Sequence, residues 1–287
     1  MNKHIIATAC LSMTFLVAAG RCQDIEARNK IDVTVKATVL QEKTGLFSFG
    51  YVVHSSLSSR QQVWDFRVIF RFDPRLLDSV STPDRWQEPM IPVEGPPFWV
   101  AWVALREQKL KPGESKEGFF LETGVLPGVT EFYAEGYAPP PNFPEGMAED
   151  SIPGYDDLTP YGPGVVGKTV GPVLPPDPFV AADFLDTLAS YKHQAAALRW
   201  VGQEGFLNQL DEKLDQARDQ LAKGHTKQAR DKVEEFVKKL EHEAKKTEKD
   251  QDKKNDKKWV TSEGYALLKF NAEYLIEKLE EQITKKK

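Results

Sequence analysis

The sequence predicts a chain in two parts, an antiparallel β-sandwich followed by a small four-helix bundle. Three observations carry that expectation. Between residues 31 and 173 apolar residues alternate with polar ones in run after run, the period of strands. From residue 184 onward they recur at intervals of three and four, the period of helices. The prolines cluster before Phe179, and Ala, Leu, Glu and Lys dominate after it. Charge divides at the same place. From Asp177 onward 22 basic side chains balance 22 acidic ones, whereas Gln23 to Pro176 holds 14 basic and 21 acidic. The boundary is expected at Pro175-Pro176-Asp177-Pro178.

Residues 1–22 read as an export signal. Lys3 and His4 give a basic start, Ile5 to Val17 an apolar run, and Ala18-Ala19-Gly20 the small residues a signal peptidase accepts. The run is shorter than the ~20 residues of a spanning helix, so cleavage is expected near Arg21 or Gln23 rather than a retained anchor. Arg21, where a small residue normally precedes a lipidated cysteine, argues against anchoring through Cys22. Of the two cysteines, Cys10 leaves with the signal, so no intramolecular disulfide is expected and stability must come from packing. The net charge of −5 becomes −7 once Lys3 and Arg21 are removed. Neither half has the net positive field that nucleic acid binding uses.

Seven strands are expected in the first part, residues 30–174. Residues 31–41 place Ile31, Val33, Val35, Ala37 and Val39 on one face, 46–53 place Phe47, Phe49, Tyr51 and Val53, and 63–72 place Trp64, Phe66, Val68, Phe70 and Phe72. The stretch 98–105, FWVAWVAL, is apolar on both faces and reads as a central strand. Residues 115–122, 129–137 and 165–173 complete the set, joined by turns such as Lys111-Pro112-Gly113-Glu114. Seven short strands with such turns point to an immunoglobulin-like sandwich.

A Pro- and Gly-rich acidic loop, 138–164, separates the last two strands, and its carboxylates lack the cadence of a calcium loop. Gly162 to Thr169 fits the phosphate-binding pattern, but the prolines at 172, 175, 176 and 178 forbid the helix that chemistry needs. His242-Glu243 starts like a zinc helix, yet Lys246 stands where the second histidine belongs. No cofactor, metal or catalytic residue is expected.

In the second part, residues 179–287, four amphipathic stripes are expected to face one another. They are Phe184, Leu188, Tyr191, Ala195 and Leu198; Leu207, Leu210, Leu214, Ala217 and Leu221; Ala229, Val233, Phe236, Val237 and Leu240; and Tyr265, Leu268, Ala272, Leu275 and Leu279. Gly224 ends the second helix, Thr226 caps the third, and Thr261 or Ser262 starts the last. The charged run 245–258 is expected to be a solvated insertion.

The spacing Leu198-Arg-Trp-Val-Gly202, Leu210-Asp-Glu-Lys-Leu214, Leu221-Ala-Lys-Gly224, Val233-Glu-Glu-Phe236-Val237 and Ala266…Leu275 resembles the FIMAH domain. That resemblance implies a C-terminal helical module of a secreted protein, with an accessory role beside another extracellular domain.

The function expected is therefore that of an exported bacterial protein, periplasmic or at the cell surface, without catalytic activity, acting on another envelope protein or a glycan. A carbohydrate-binding module is one alternative, with Trp86 in the proline-rich loop and Trp99 stacking on sugars; burial of Trp99 and Trp102 in the core is the competing reading. A secreted hydrolase whose site is assembled from distant residues is the other.

Overall fold

The computed structural model describes residues 30–91, 95–105, 107–137, 164–250 and 260–285. The expected export signal, all but the last residue of the acidic loop 138–164, and the run 251–258 lie outside them.

Eight strands are described: β1 (Val33–Gln41), β2 (Phe47–Ser55), β3 (Val63–Phe70), β4 (Leu77–Ser81), β5 (Phe98–Val103), β6 (Ser115–Thr123), β7 (Pro127–Gly136) and β8 (Val165–Pro172). They form two four-stranded antiparallel sheets, ordered β1-β2-β6-β4 and β5-β3-β7-β8. The inward residues are those the alternation marks. Phe66 stacks on Trp102 with centroids 5.6 Å apart, and Phe119 meets Phe66 edge-on at 5.1 Å. These rings lock the two sheets together at mid-sandwich.

Two details differ from the sequence reading. β4 is an additional strand; Leu-Asp-Ser-Val-Ser follows a 3-10 turn, 74–76, in which the Asp73 carboxylate accepts the Arg75 N–H, and it pairs with β6. β5 lies at a sheet edge instead of its centre. Its outer face carries Trp99 beneath the Arg67 guanidinium, and its free edge is paired by the segment beside it. Met90 and Ala101 exchange backbone hydrogen bonds at 2.9 and 3.0 Å, and Gln87 N–H donates to the Val103 carbonyl at 2.9 Å, so the edge is covered.

Four helices follow: α1 (Ala181–Ala197), α2 (Glu204–Ala222), α3 (Thr226–Asp250) and α4 (Ser262–Lys285). They pack in a ring, each against its two neighbours. Gly224, with φ +73°, takes the left-handed conformation that closes α2 and turns the chain into α3. α3 continues through Asp250, so the start of the charged run is helical, and Lys245 and Lys246 are exposed on it.

The two halves do not seal separate interiors. One continuous apolar core runs from the sandwich into the bundle. α4 is the element that joins them: Leu268, Ala272, Leu275 and Leu279 are buried, and so are Leu267, Phe270 and Asn271. Phe270 meets Phe47 of β2 edge-on at 5.2 Å. Asn271 donates to the Pro127 carbonyl at the start of β7, and Glu263 accepts the Ala37 N–H of β1. β1 is the edge of its sheet, and through Glu263 α4 satisfies the Ala37 donor, which would otherwise stay unpaired there.

Candidate functional site

A cluster of interacting ionisable side chains lies on the outer face of the second sheet, where β3, β5 and β7 present alternate residues away from the core. Asp65, Arg67 and Ile69 of β3 stand there, opposite Val103, Ala101 and Trp99 of β5. On the other side Asp65 faces Glu135 and Arg67 faces Tyr133 of β7. This placement follows from the period of two, since the intervening Phe66 and Val68 fill the core.

Arg67 organises the cluster. Its Nε and Nη2 donate to the Asp65 carboxylate at 3.0 and 2.5 Å, and its guanidinium lies over the Tyr133 ring at 4.7 Å and the Trp99 ring at 5.7 Å from their centroids. Tyr133 Oη donates to Glu135 at 2.9 Å. Burial pushes the Asp65 carboxyl above the usual carboxylate range, and the Arg67 guanidinium pulls it back. Burial and the neighbouring Glu135 charge both push the Tyr133 phenol upward. Asp65 is only 2 % exposed, so the cluster fixes rings and carboxyls in place and offers no acid to a bulky substrate. Beside it, the groove where β3 parts from β7 has a volume of about 340 Å³, lined by Ile69, Arg71, Val129, Glu131 and Lys168. Lys168 pairs with Glu131 at 2.9 Å across its mouth.

The residues singled out for sugar stacking fare differently. Trp86 is a correction: it is 5 % exposed and packs edge-on against Phe119 at 5.0 Å. A Trp86–Ala104 bridge carries it into the sandwich, so its ring faces are not available for stacking. Trp99 is half-buried under Arg67. Gly167, Lys168 and Thr169 of the phosphate-binding pattern lie within β8, paired to β7, and no helix opens there. The most exposed phenylalanine among the described residues, Phe120 of β6, lies over Gly50 on the outer face of the other sheet. It shares that face with Leu40 and Val52 among mostly polar neighbours, and no regular spacing in the sequence singles it out.

The fold and this site define a class: a β-sandwich fused through a shared core to a helical bundle. Within that bundle residues 185–251, spanning most of α1, all of α2 and α3, match the FIMAH domain, which is found in secreted proteins. The resemblance read from the sequence thus holds over that stretch, with α4 outside it. No curated protein matches the chain. Two crystal structures of the GH20 exo-β-N-acetylglucosaminidase of Vibrio harveyi, one with N-acetylglucosamine and one of an inactive mutant, match with 13 % identity and a TM-score of 0.23, over 51 % of this chain and 19 % of that one. A likeness that slight carries no argument. Among the described residues no helix is long and apolar enough to cross a membrane.

Proposed function

We propose that this protein is an exported, non-catalytic accessory module that binds a component of the envelope or its surroundings. The observation that carries this reading is the FIMAH match at residues 185–251. Two features of the sandwich support it. The acidic side chains that face each other on β3 and β7 are both engaged, Asp65 by Arg67 and Glu135 by the Tyr133 hydroxyl. The junction through α4 also holds the bundle in a fixed orientation on the sandwich, which suits a module that presents a surface.

The test is fractionation of cells producing the full-length chain, together with a panel of chromogenic glycoside and ester substrates offered to the purified protein. The proposal expects the protein outside the cytoplasm and no turnover. Retention in the cytoplasm, or turnover abolished by Asp65→Asn, would overturn it.

A further inference from the structure

Between the start of α2 and the last turns of α3 lies a groove of about 440 Å³. One face of α3 supplies Lys239, His242 and Lys246 at intervals of three and four, with Lys238 beside them. The opposite wall is Phe206 and Gln209 of α2, with Gln203 at its N-cap. Glu243 is the one carboxylate in the lining, and Lys246 donates to it at 3.2 Å. Lys239 donates to the Gln209 amide oxygen at 3.0 Å, which holds the wall in position and leaves its charge unneutralised. Lys238 lies 3.9 Å from Glu234, just outside the lining, so three lysines stand against two carboxylates and the groove keeps an excess of one positive charge, on Lys239, in a chain whose net charge is −5.

Size and lining narrow the ligand beyond a simple anion. A cavity of this volume is several times larger than a phosphate or acetate needs, and falls in the range that takes a small organic molecule. Its walls are mixed: ammonium groups for an anionic substituent, two side-chain amides that both donate and accept, as sugar hydroxyls require, and Phe206 as an apolar edge. We propose that this groove binds a sugar acid, one uronate unit of an extracellular polysaccharide, through its carboxylate. The inference rests on the accessory-binding reading and moves the sugar contact from the tryptophans of the sandwich to the helical bundle.

Isothermal titration of the full chain with a short oligomer of galacturonic acid tests it, against a neutral galactose oligomer of equal length, sodium acetate and inorganic phosphate. Lys238 and Lys246 are exposed, so Lys238→Glu and Lys246→Glu should leave the helical circular dichroism unchanged. The proposal expects binding of the acidic oligomer alone, weakened about tenfold by either reversal and further as salt rises. Equal affinity for the neutral oligomer, saturation by acetate or phosphate at the same concentration, or indifference to both reversals would overturn it. If the protein is exported yet no uronate binds, the groove assignment fails and the accessory reading stands. If it stays in the cytoplasm, the accessory reading fails first.

Discussion

Glu263, in the first turn of α4, accepts the backbone N–H of Ala37 on β1 at 2.9 Å, closing a contact between residues 226 positions apart. The carboxylate is 5 % exposed, and it reaches the free edge of the sandwich as the strand of a neighbouring sheet would. We predict that Glu263→Ala lowers the unfolding free energy by about 1–3 kcal/mol, because the Ala37 amide is left buried and unpaired. Glu263→Gln, which keeps an acceptor oxygen, should lose less. Urea denaturation of the three proteins gives the comparison, and equal midpoints for wild type and Glu263→Ala would refute the contact's role.

Lys192 of α1 is 1 % exposed and pairs with Asp211 of α2. A buried ammonium is costly without its partner, whereas an apolar chain of similar volume fits the same space. Asp211→Ala is therefore predicted to destabilise by up to about 3 kcal/mol, the lower part of the range for breaking buried pairs because Asp211 itself is partly exposed. Lys192→Met should cost less, and the double variant should recover most of the loss. A thermodynamic cycle over the four proteins would reveal additive effects if the pair were not coupled.

The buried Asp65 makes the sandwich sensitive to pH in a stated direction. Its folded carboxyl titrates above its unfolded value, so the folded state holds the proton longer, and stability falls as pH rises through that interval. Arg67 limits the loss. Removing it by Arg67→Leu should destabilise by about 3–5 kcal/mol at neutral pH and less as the pH falls and Asp65 takes up its proton. Glu235 works in the opposite sense. Hydrogen bonds from Lys232 and Lys213 lower it to about 2, so its contribution is present above the ordinary carboxylate range and fades as pH falls toward that value. Stability measured from pH 3 to 8 should fall slightly less on the acid side in Glu235→Gln than in the wild type; an unchanged acid limb would count against the pairing.

Gly224 holds φ +73° in the turn between α2 and α3. A Cβ there meets nothing within 4 Å, so Gly224→Ala isolates the backbone cost. A loss of about 1 kcal/mol is expected, readable as a lower melting temperature with unchanged helical content. A neutral substitution would show that the turn relaxes to another conformation.

Much of this architecture is legible in the sequence because it rests on period. Phe66, Phe119 and Trp102 fall on the inward face of their strands, and Val233, Phe236 and Leu240 on the inward stripe of α3, wherever those elements end up. What period cannot convey is the partner. The apolar run Ala266, Leu267, Leu268 and Phe270 is broad enough to bury two faces of α4, yet nothing local says that the second face meets β1 and β2. Glu263 and Asn271 look like ordinary polar helix residues, since the backbone groups they satisfy belong to strands far away in the chain. Trp86 misleads for a similar reason: its proline-rich surroundings read as an exposed loop, and only the pairing of that segment along β5 carries the ring inward. The groove between α2 and α3 depends on two helix faces meeting, and the lysines that line it are indistinguishable in sequence from a solvated stripe.

A shared core implies that sandwich and bundle unfold together. Four of the six tryptophans, Trp64, Trp86, Trp99 and Trp102, lie in the sandwich, while helical circular dichroism reports on the bundle. Urea unfolding of the intact chain, followed by both signals on one sample, measures the coupling directly. Superimposable transitions with a common midpoint are predicted. Separate midpoints, with the helices melting while tryptophan emission still reports a native sandwich, would contradict the single interior on which this account depends.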